Sequence, residues 1–451
     1  MIDTRCLSAL RLTAAGTVLC LITSTWPLWT GSSSFPQIPF LEALCESGRW
    51  ADIAGLALVL LGATGTLIGA GVSLLRNRQV RSRPISEPAQ RLERLCPWIL
   101  AAGLGFSILL NQHRLQPWAW HFFLLCPLIA GQSQQHTQRR PGQFAFPAIT
   151  VLTASIYLFS AVSKLDTSFS AGYGQQLLES LLGTTGASTR FWTDSTRSLA
   201  ARCLPLGELT IGLLLLARCL SLGAPLSILM HLLLLIALGP FGMHHSPGVL
   251  IWNIYFIIQN LILRHSLRSA NPTWLSATAL RAEISSSATR WSDFRRTAPR
   301  LVSVFVFLFG VLFPFLRPYG LCDPWPAWAV YASQPARVTI LADQTAAATL
   351  PAELQSCLQP RQLDDGQVFV RIDRWSIQMT GAPICPGDRF SLAIARSLSD
   401  RTEGQGRMRV VVEGPAGWFS RKRTSKQYYD QLEITAIADS FLFNTRPRKR
   451  L

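Results

Sequence analysis

Apolar runs long enough, or nearly long enough, to cross a bilayer recur through the first 316 residues, at 7–30, 53–75, 95–110, 118–131, 144–164, 204–220, 224–240, 248–263 and 301–316. A hydrocarbon core is crossed by roughly 20 helical residues, and within it every backbone polar group must bond inside the chain. The runs therefore predict a mainly α fold, a polytopic helical membrane bundle of about nine spans over residues 1–317, with the third and fourth the shortest. Composition agrees: 49% of residues are hydrophobic and 15% charged, where soluble domains carry about a quarter charged residues.

The net charge of +17 does not read as nucleic-acid binding. The arginines form blocks between apolar runs instead of interleaving with aromatics on one soluble face, which is how the positive-inside rule distributes charge. Arg76, Arg78, Arg81, Arg83, Arg91 and Arg94 crowd the second loop, Arg139 and Arg140 the fourth, and Arg264, Arg268, Arg281, Arg290, Arg295, Arg296 and Arg300 the eighth. With Arg5 and Arg11 ahead of the first span, all agree on one topology. The N-terminus is expected inside, and an odd number of spans puts everything beyond about residue 317 outside, in an inner or plasma membrane of bacterial type. The first run has a charged flank but no small-x-small cleavage site, so it reads as an uncleaved span. The bilayer is thus the first expected partner, and the Ser-, Ala- and Arg-rich segment 264–300 reads as an inner loop or surface helix drawn to anionic lipid.

Beyond residue 317 the pattern changes. Gln367 to Met379, Arg389 to Ala395 and Arg407 to Glu413 alternate apolar with polar residues between Gly, Pro and Asp turns, the pattern of strands. Residues 318–445 are expected to form a small β-rich outer, periplasmic domain with a short amphipathic helix near 427–440, and 446–451 a solvated basic tail. The ten cysteines show no metal-binding or C-x-x-C spacing, so no metal site is expected. Cys45, Cys203, Cys322, Cys357 and Cys385 fall on or near the outer side, where a bridge among the last three is chemically permitted.

Of 42 basic residues only four are lysines, and Lys164 is the one that closes an apolar run. Lysine, unlike arginine, can be made to give up its proton. In the fifth span Thr153, Tyr157, Ser160 and Lys164 fall on one helical face. A polar stripe is costly in lipid, so it should face the bundle interior. The sixth span opens Leu204-Pro205-Leu206-Gly207-Glu208, with Pro205 suited to a first helical turn and Glu208 at the depth of Lys164, where the two would pair. Asp166 begins the following loop. The third loop and the start of the fourth span bring Asn111, Gln112, His113, Arg114, Gln116, Trp118 and His121 toward the same level, and the seventh loop and eighth span bring His244, His245 and Asn253. His231, mid-span in the seventh helix, suits a hydrogen bond to a neighbouring helix.

The run SAVSKLDTSF, followed by LPLGELTIGLLLL, resembles the MauE and DoxX group of redox-associated membrane proteins, in which a span ends S-x-x-K-L and the next begins P-x-x-E. That resemblance implies handling of reducing equivalents or a quinol near the outer face. Lys164 would be the proton-transfer group or quinone partner and Glu208 its counter-ion. Arg11, Lys164-Leu165-Asp166 with Gly172-Tyr173, and the segment PWPAWAVYASQPARVTI at 324–340 are similar to HTTM-type proteins related to vitamin K-dependent γ-carboxylase. That second resemblance implies an outer β-rich domain and Lys164 as general base. The carboxylase carries adjacent lysines where this chain has Ser163-Lys164, so only Lys164 inherits a role. A third reading is non-catalytic: an anchor or assembly factor whose outer domain binds a protein partner.

Overall fold

The computed structural model describes residues 2–31, 34–79, 87–130, 145–268, 301–302, 304–361, 366–402 and 406–449. The expected inner-loop arginines Arg81, Arg83, Arg139, Arg140, Arg281, Arg290, Arg295, Arg296 and Arg300 lie outside the described residues, as does nearly all of the basic segment 264–300.

Among the described residues, seven helices are long and apolar enough to cross a membrane. They are α1 (Ile2–Ser24), α3 (Arg49–Gln79), α4 (Glu87–Leu110), α6 (Ala145–Val162), α9 (Asp194–Leu216), α10 (Leu220–Leu238) and α11 (Pro247–Arg268). Two shorter apolar helices, α5 (Pro117–Ala130) and α12 (Val304–Tyr319), occupy the fourth and ninth runs. The first run is broken at Thr25, beyond which Trp26–Thr30 forms a separate turn, α2.

Glycine sets how closely α3 and α4 approach. A Cβ on Gly62 would lie 2.4 Å from the backbone nitrogen of Leu100, and one on Gly103 would lie 2.7 Å from that of Val59. This is the small-residue packing that joins helices where no hydrophobic drive exists between them. In α12, Pro314 has no N–H to offer the carbonyl of Gly310 four residues earlier. The helix takes a π turn there, and Ser155 Oγ (2.9 Å) and Trp328 Nε1 (2.9 Å) donate to Gly310 O instead. A local proline defect thus becomes the bond that ties α12 to α6.

The C-terminal region holds the antiparallel sheet β2-β3-β1-β4-β5, built from β1 (Arg337–Ala342), β2 (Leu358–Pro360), β3 (Val368–Val370), β4 (Met408–Glu413) and β5 (Ser425–Tyr428). Two of the expected strands are mostly helical. Gln367 to Met379 contributes only β3 before the helix Ile372–Thr380, which buries Ile372, Trp375, Ser376 and Thr380 on one face and stops at Gly381, φ +70°. Arg389 to Ala395 lies in the helix Asp388–Thr402, in which Phe390, Leu392, Ala393, Ile394 and Ala395 are all buried. Phe390, Ala393, Ile394 and Leu398 keep helical spacing, but within the seven residues Arg389 to Ala395 the order Arg-Phe-Ser-Leu also reads as alternation. The expected amphipathic helix is present as Gln431–Asp439.

Phe35 and Ile38 from the connection between α2 and α3 complete the core of this domain. The connections after α1, α4 and α6 all meet it: Gln112 N bonds Ile38 O at 2.8 Å, Gln116 Nε2 bonds Pro383 O at 3.1 Å, and Thr167 N bonds Trp418 O at 3.0 Å. These connections therefore gather at one end of the bundle, with the C-terminal domain seated on them. Residues 446–449 are not a free tail. Arg446 pairs with Glu42, Lys449 with Glu46 (2.7 Å) and Arg448 with Asp52 (2.6 Å), all in the connection or first turn before α3. All ten cysteines are free, so the bridge that chemistry permits among Cys322, Cys357 and Cys385 is not formed.

Candidate functional site

α6, α9, α10 and α11 form a four-helix ring, each packed against the next, with the short helices α7 (Thr167–Ala171) and α8 (Tyr173–Gly183) beside the upper part of α9. The sixth span begins earlier than its apolar pattern indicates. Thr193 caps the polar turn at Asp194 by accepting from Thr196 N, so Pro205 lies inside α9 and not in its first turn. The consequence is that Glu208 sits well down the helix, level with the end of α6. Gly212, one turn further, lets α9 approach Leu158.

Lys164 and Glu208 meet there. Lys164 Nζ donates to Glu208 Oε1 (2.7 Å), Glu208 Oε2 (2.8 Å) and Ser160 Oγ (2.8 Å), so its three N–H groups are all engaged. The two side chains are 6% and 13% exposed. Separating two charges from water costs several kcal/mol per ion, and only close geometry with full hydrogen bonding repays it. An ammonium 2.7 Å from a carboxylate is also within proton-transfer distance.

The rest of the stripe on α6 faces inward too. One turn below Ser160, Tyr157 Oη contacts His231 Nε2 (2.7 Å), Ser227 Oγ (2.7 Å) and Asn260 Nδ2 (3.2 Å). Asn253 Nδ2 donates to Val249 O, which leaves its Oδ1 to accept from His231 Nδ1 at 2.7 Å. That assignment puts the imidazole proton on Nδ1 and makes Tyr157 the donor to Nε2. Deeper still, Gln259 Nε2 donates to Thr153 Oγ1 at 2.8 Å. The result is a polar ladder inside the ring, from Lys164 and Glu208 down to Thr153.

The other expected residues do not join it. Asp166 caps α7, its Oδ1 accepting from Ser168 N (2.8 Å) and Phe169 N (3.0 Å). His121 lies among Phe122, Tyr255 and Phe256, with Trp252 Nε1 donating to its Nδ1 at 3.2 Å. Arg114 is fully buried, 2.7 Å from Asp52, and bonds Leu28 O (2.9 Å) and Trp29 O (3.1 Å). His244 is exposed, with a left-handed backbone at φ +52°. His245 forms a separate group with Tyr173 (3.1 Å from its Nε2) and Tyr331, which stacks on Tyr173. Burial lowers the His245 pKa and raises those of both tyrosines. No hydrogen bond among the described residues links this group to Lys164 or Glu208.

Sequence reasoning missed Ser227, Gln259 and Asn260, which complete the ladder. Gln259 and Asn260 were readable, since adjacent amides within the apolar run of α11 need partners in a bundle interior. Ser227 gives no such signal. His113, expected among the third-loop residues at the level of Lys164, is instead fully buried beneath the C-terminal domain, its Nε2 3.1 Å from both Pro383 O and Ser376 Oγ. Its Nδ1 is buried without a partner, and desolvation pulls its pKa down to about 4. Comparison with protein-family models, curated proteins and solved structures finds no match to this chain.

Proposed function

We propose that this integral membrane protein moves protons at the Lys164–Glu208 pair in support of a redox process, with a quinone-type carrier as the reacting partner. The domain-bearing end of the bundle is the outer end in this reading, and the N-terminus is inside. The observation that carries it is the geometry of the pair: a buried lysine and carboxylate on adjacent helices, at 2.7 and 2.8 Å. The two short motifs that resemble MauE and DoxX proteins supply the two members of this contact. A quinone-type carrier takes up one proton for each electron that a separate dithiol-class reductant delivers to it. The Lys164 ammonium can donate to a carrier oxygen as negative charge builds on it, and Glu208 can then collect a proton from the outer side and return it to the amine. The HTTM-type reading fits less directly, because a lysine held by both carboxylate oxygens must first lose its proton to act as a base.

The test is protein-dependent proton uptake, followed with a pH dye, when an added dithiol reduces a water-soluble quinone analogue in the presence of the full chain in liposomes. Wild type and Lys164→Arg are expected to differ in extent, while Lys164→Met abolishes protein-dependent uptake and remains folded in detergent, with a lowered thermal transition because Glu208 loses its partner. Undiminished uptake by a folded Lys164→Met protein would overturn the proposal and favour a structural pair.

A further inference from the structure

The hairpin joining β4 to β5 displays an unusual surface. Phe419 is 88% exposed, Trp418 beside it is exposed, and Arg421 and Lys422 on the same turn are exposed as well. The turn is rigidly held. Gly417 N bonds Lys422 O at 3.0 Å, Arg421 N bonds Gly417 O at 3.1 Å, and the Arg423 guanidinium bonds the carbonyls of Ser333, Pro335 and Gly414 at 2.6 to 2.8 Å. Arg421 adopts the left-handed backbone, φ +55°, which a non-glycine residue takes up only when its surroundings impose it. Two aromatic side chains are therefore presented outward from a hydrogen-bonded backbone turn, with two cations next to them.

The height of this turn is fixed by Thr167. Its N–H donates to Trp418 O at 3.0 Å, and its hydroxyl lies 3.1 Å from both Trp418 O and Phe419 O. Thr167 follows the end of α6, a membrane-length helix, by five residues, so the turn lies where that helix leaves the hydrocarbon. Other exposed aromatics mark the same end: Trp26 after α1, Trp50 at the start of α3, Phe241 between α10 and α11, and Tyr319 at the end of α12. Tryptophan and other aromatic residues concentrate at the level of lipid headgroups, and cations beside them select anionic headgroups.

We infer that the β4–β5 turn is a membrane-interface foot, through which the C-terminal domain rests on anionic lipid headgroups by Trp418, Phe419, Arg421 and Lys422. The domain is then held on two sides, by protein contacts to the bundle and by lipid next to the Lys164–Glu208 pair. The inference does not depend on proton transfer at that pair.

A photoreactive benzoylphenylalanine in place of Phe419, in the full chain in nanodiscs of mixed phosphatidylcholine and phosphatidylglycerol, tests it by mass spectrometry of the adducts. Leu432, 81% exposed on the helix Gln431–Asp439, is the control position. Position 419 is expected to give lipid adducts and position 432 none. Adducts at 419 should favour phosphatidylglycerol roughly tenfold, and R421Q with K422Q should erase that preference. Absence of lipid adducts at 419, equal labelling at 432, no headgroup preference, or cross-links to protein alone would each overturn the inference.

Discussion

Two buried ion clusters sit near the domain-bearing end of the bundle, and they are built from different chemistry. At one, Asp52 lies between Arg114 (2.7 Å) and Arg448 (2.6 Å), and backbone carbonyls of Leu28, Trp29 and Ser47 take further guanidinium donors. At the other, Lys164 faces Glu208 and Ser160 with no backbone partner for its side chain. Arginine keeps its proton in proteins, whereas a lysine and a carboxylate can exchange one. The first cluster can only hold parts together, and it joins a loop, the start of α3 and the last residues of the chain. The second can hold parts together and also react.

That contrast can be broken or sharpened by mutation. The largest expected effect is at the arginine cluster. Asp52→Ala leaves two buried guanidinium groups facing each other and should cost about 3 to 5 kcal/mol, seen as lost folded yield and a lower thermal transition in detergent. Should Asp52→Ala prove milder than Glu208→Ala, the division between the clusters is wrong.

The next effect is in pH. His113 has its folded pKa lowered from 6.5 to about 4, so the unfolded chain binds the proton more tightly than the folded one. Stability from this residue is complete above pH 6.5 and declines as pH falls through that value toward about 4, a total of about 3 kcal/mol. Protease sensitivity of the junction between bundle and domain should rise across this window, and His113→Gln should flatten the profile. A wild-type profile already flat from pH 7 to about 4 contradicts the assignment.

A smaller loss, about 1 to 3 kcal/mol, is expected for Arg448→Ala, because Asp52 keeps Arg114. The smallest change belongs to the exchange of the whole reactive pair. Lys164→Met with Glu208→Leu should stay within about 1 to 2 kcal/mol of wild type, while either single change costs more, since it strands one partner. A double variant as unstable as the worse single variant would mean that packing, and not charge, dominates the site.

Much of this was legible in the sequence, for one physical reason. Apolar runs and inward polar stripes report what a residue cannot face, so Tyr157, Ser160, Lys164 and Glu208 could be placed on one interior surface before any coordinates. What could not be read were contacts between residues far apart in the chain. Arg448 meets Asp52 almost 400 positions away, and nothing in a terminal Arg-Pro-Arg-Lys distinguishes a clamp from a solvated tail. The gathering of His121, Arg114, His244 and His245 also failed, because a shared depth does not give a shared position around the bundle. The strand and helix exchange at Asp388–Thr402 has a third cause: a window of seven residues is too short to separate the two periods, although Phe390, Ile394 and Leu398 over the full helix keep the helical one.

The central claim is that the Lys164–Glu208 contact exchanges a proton. Its most direct test is an infrared difference spectrum of the reconstituted full chain on reduction of a quinone analogue. A carboxyl band that moves on isotopic exchange of the solvent, and that vanishes in Glu208→Gln and in Lys164→Met, is the expected result. A difference spectrum with no carboxyl contribution from Glu208, in protein that still binds the analogue, would contradict it.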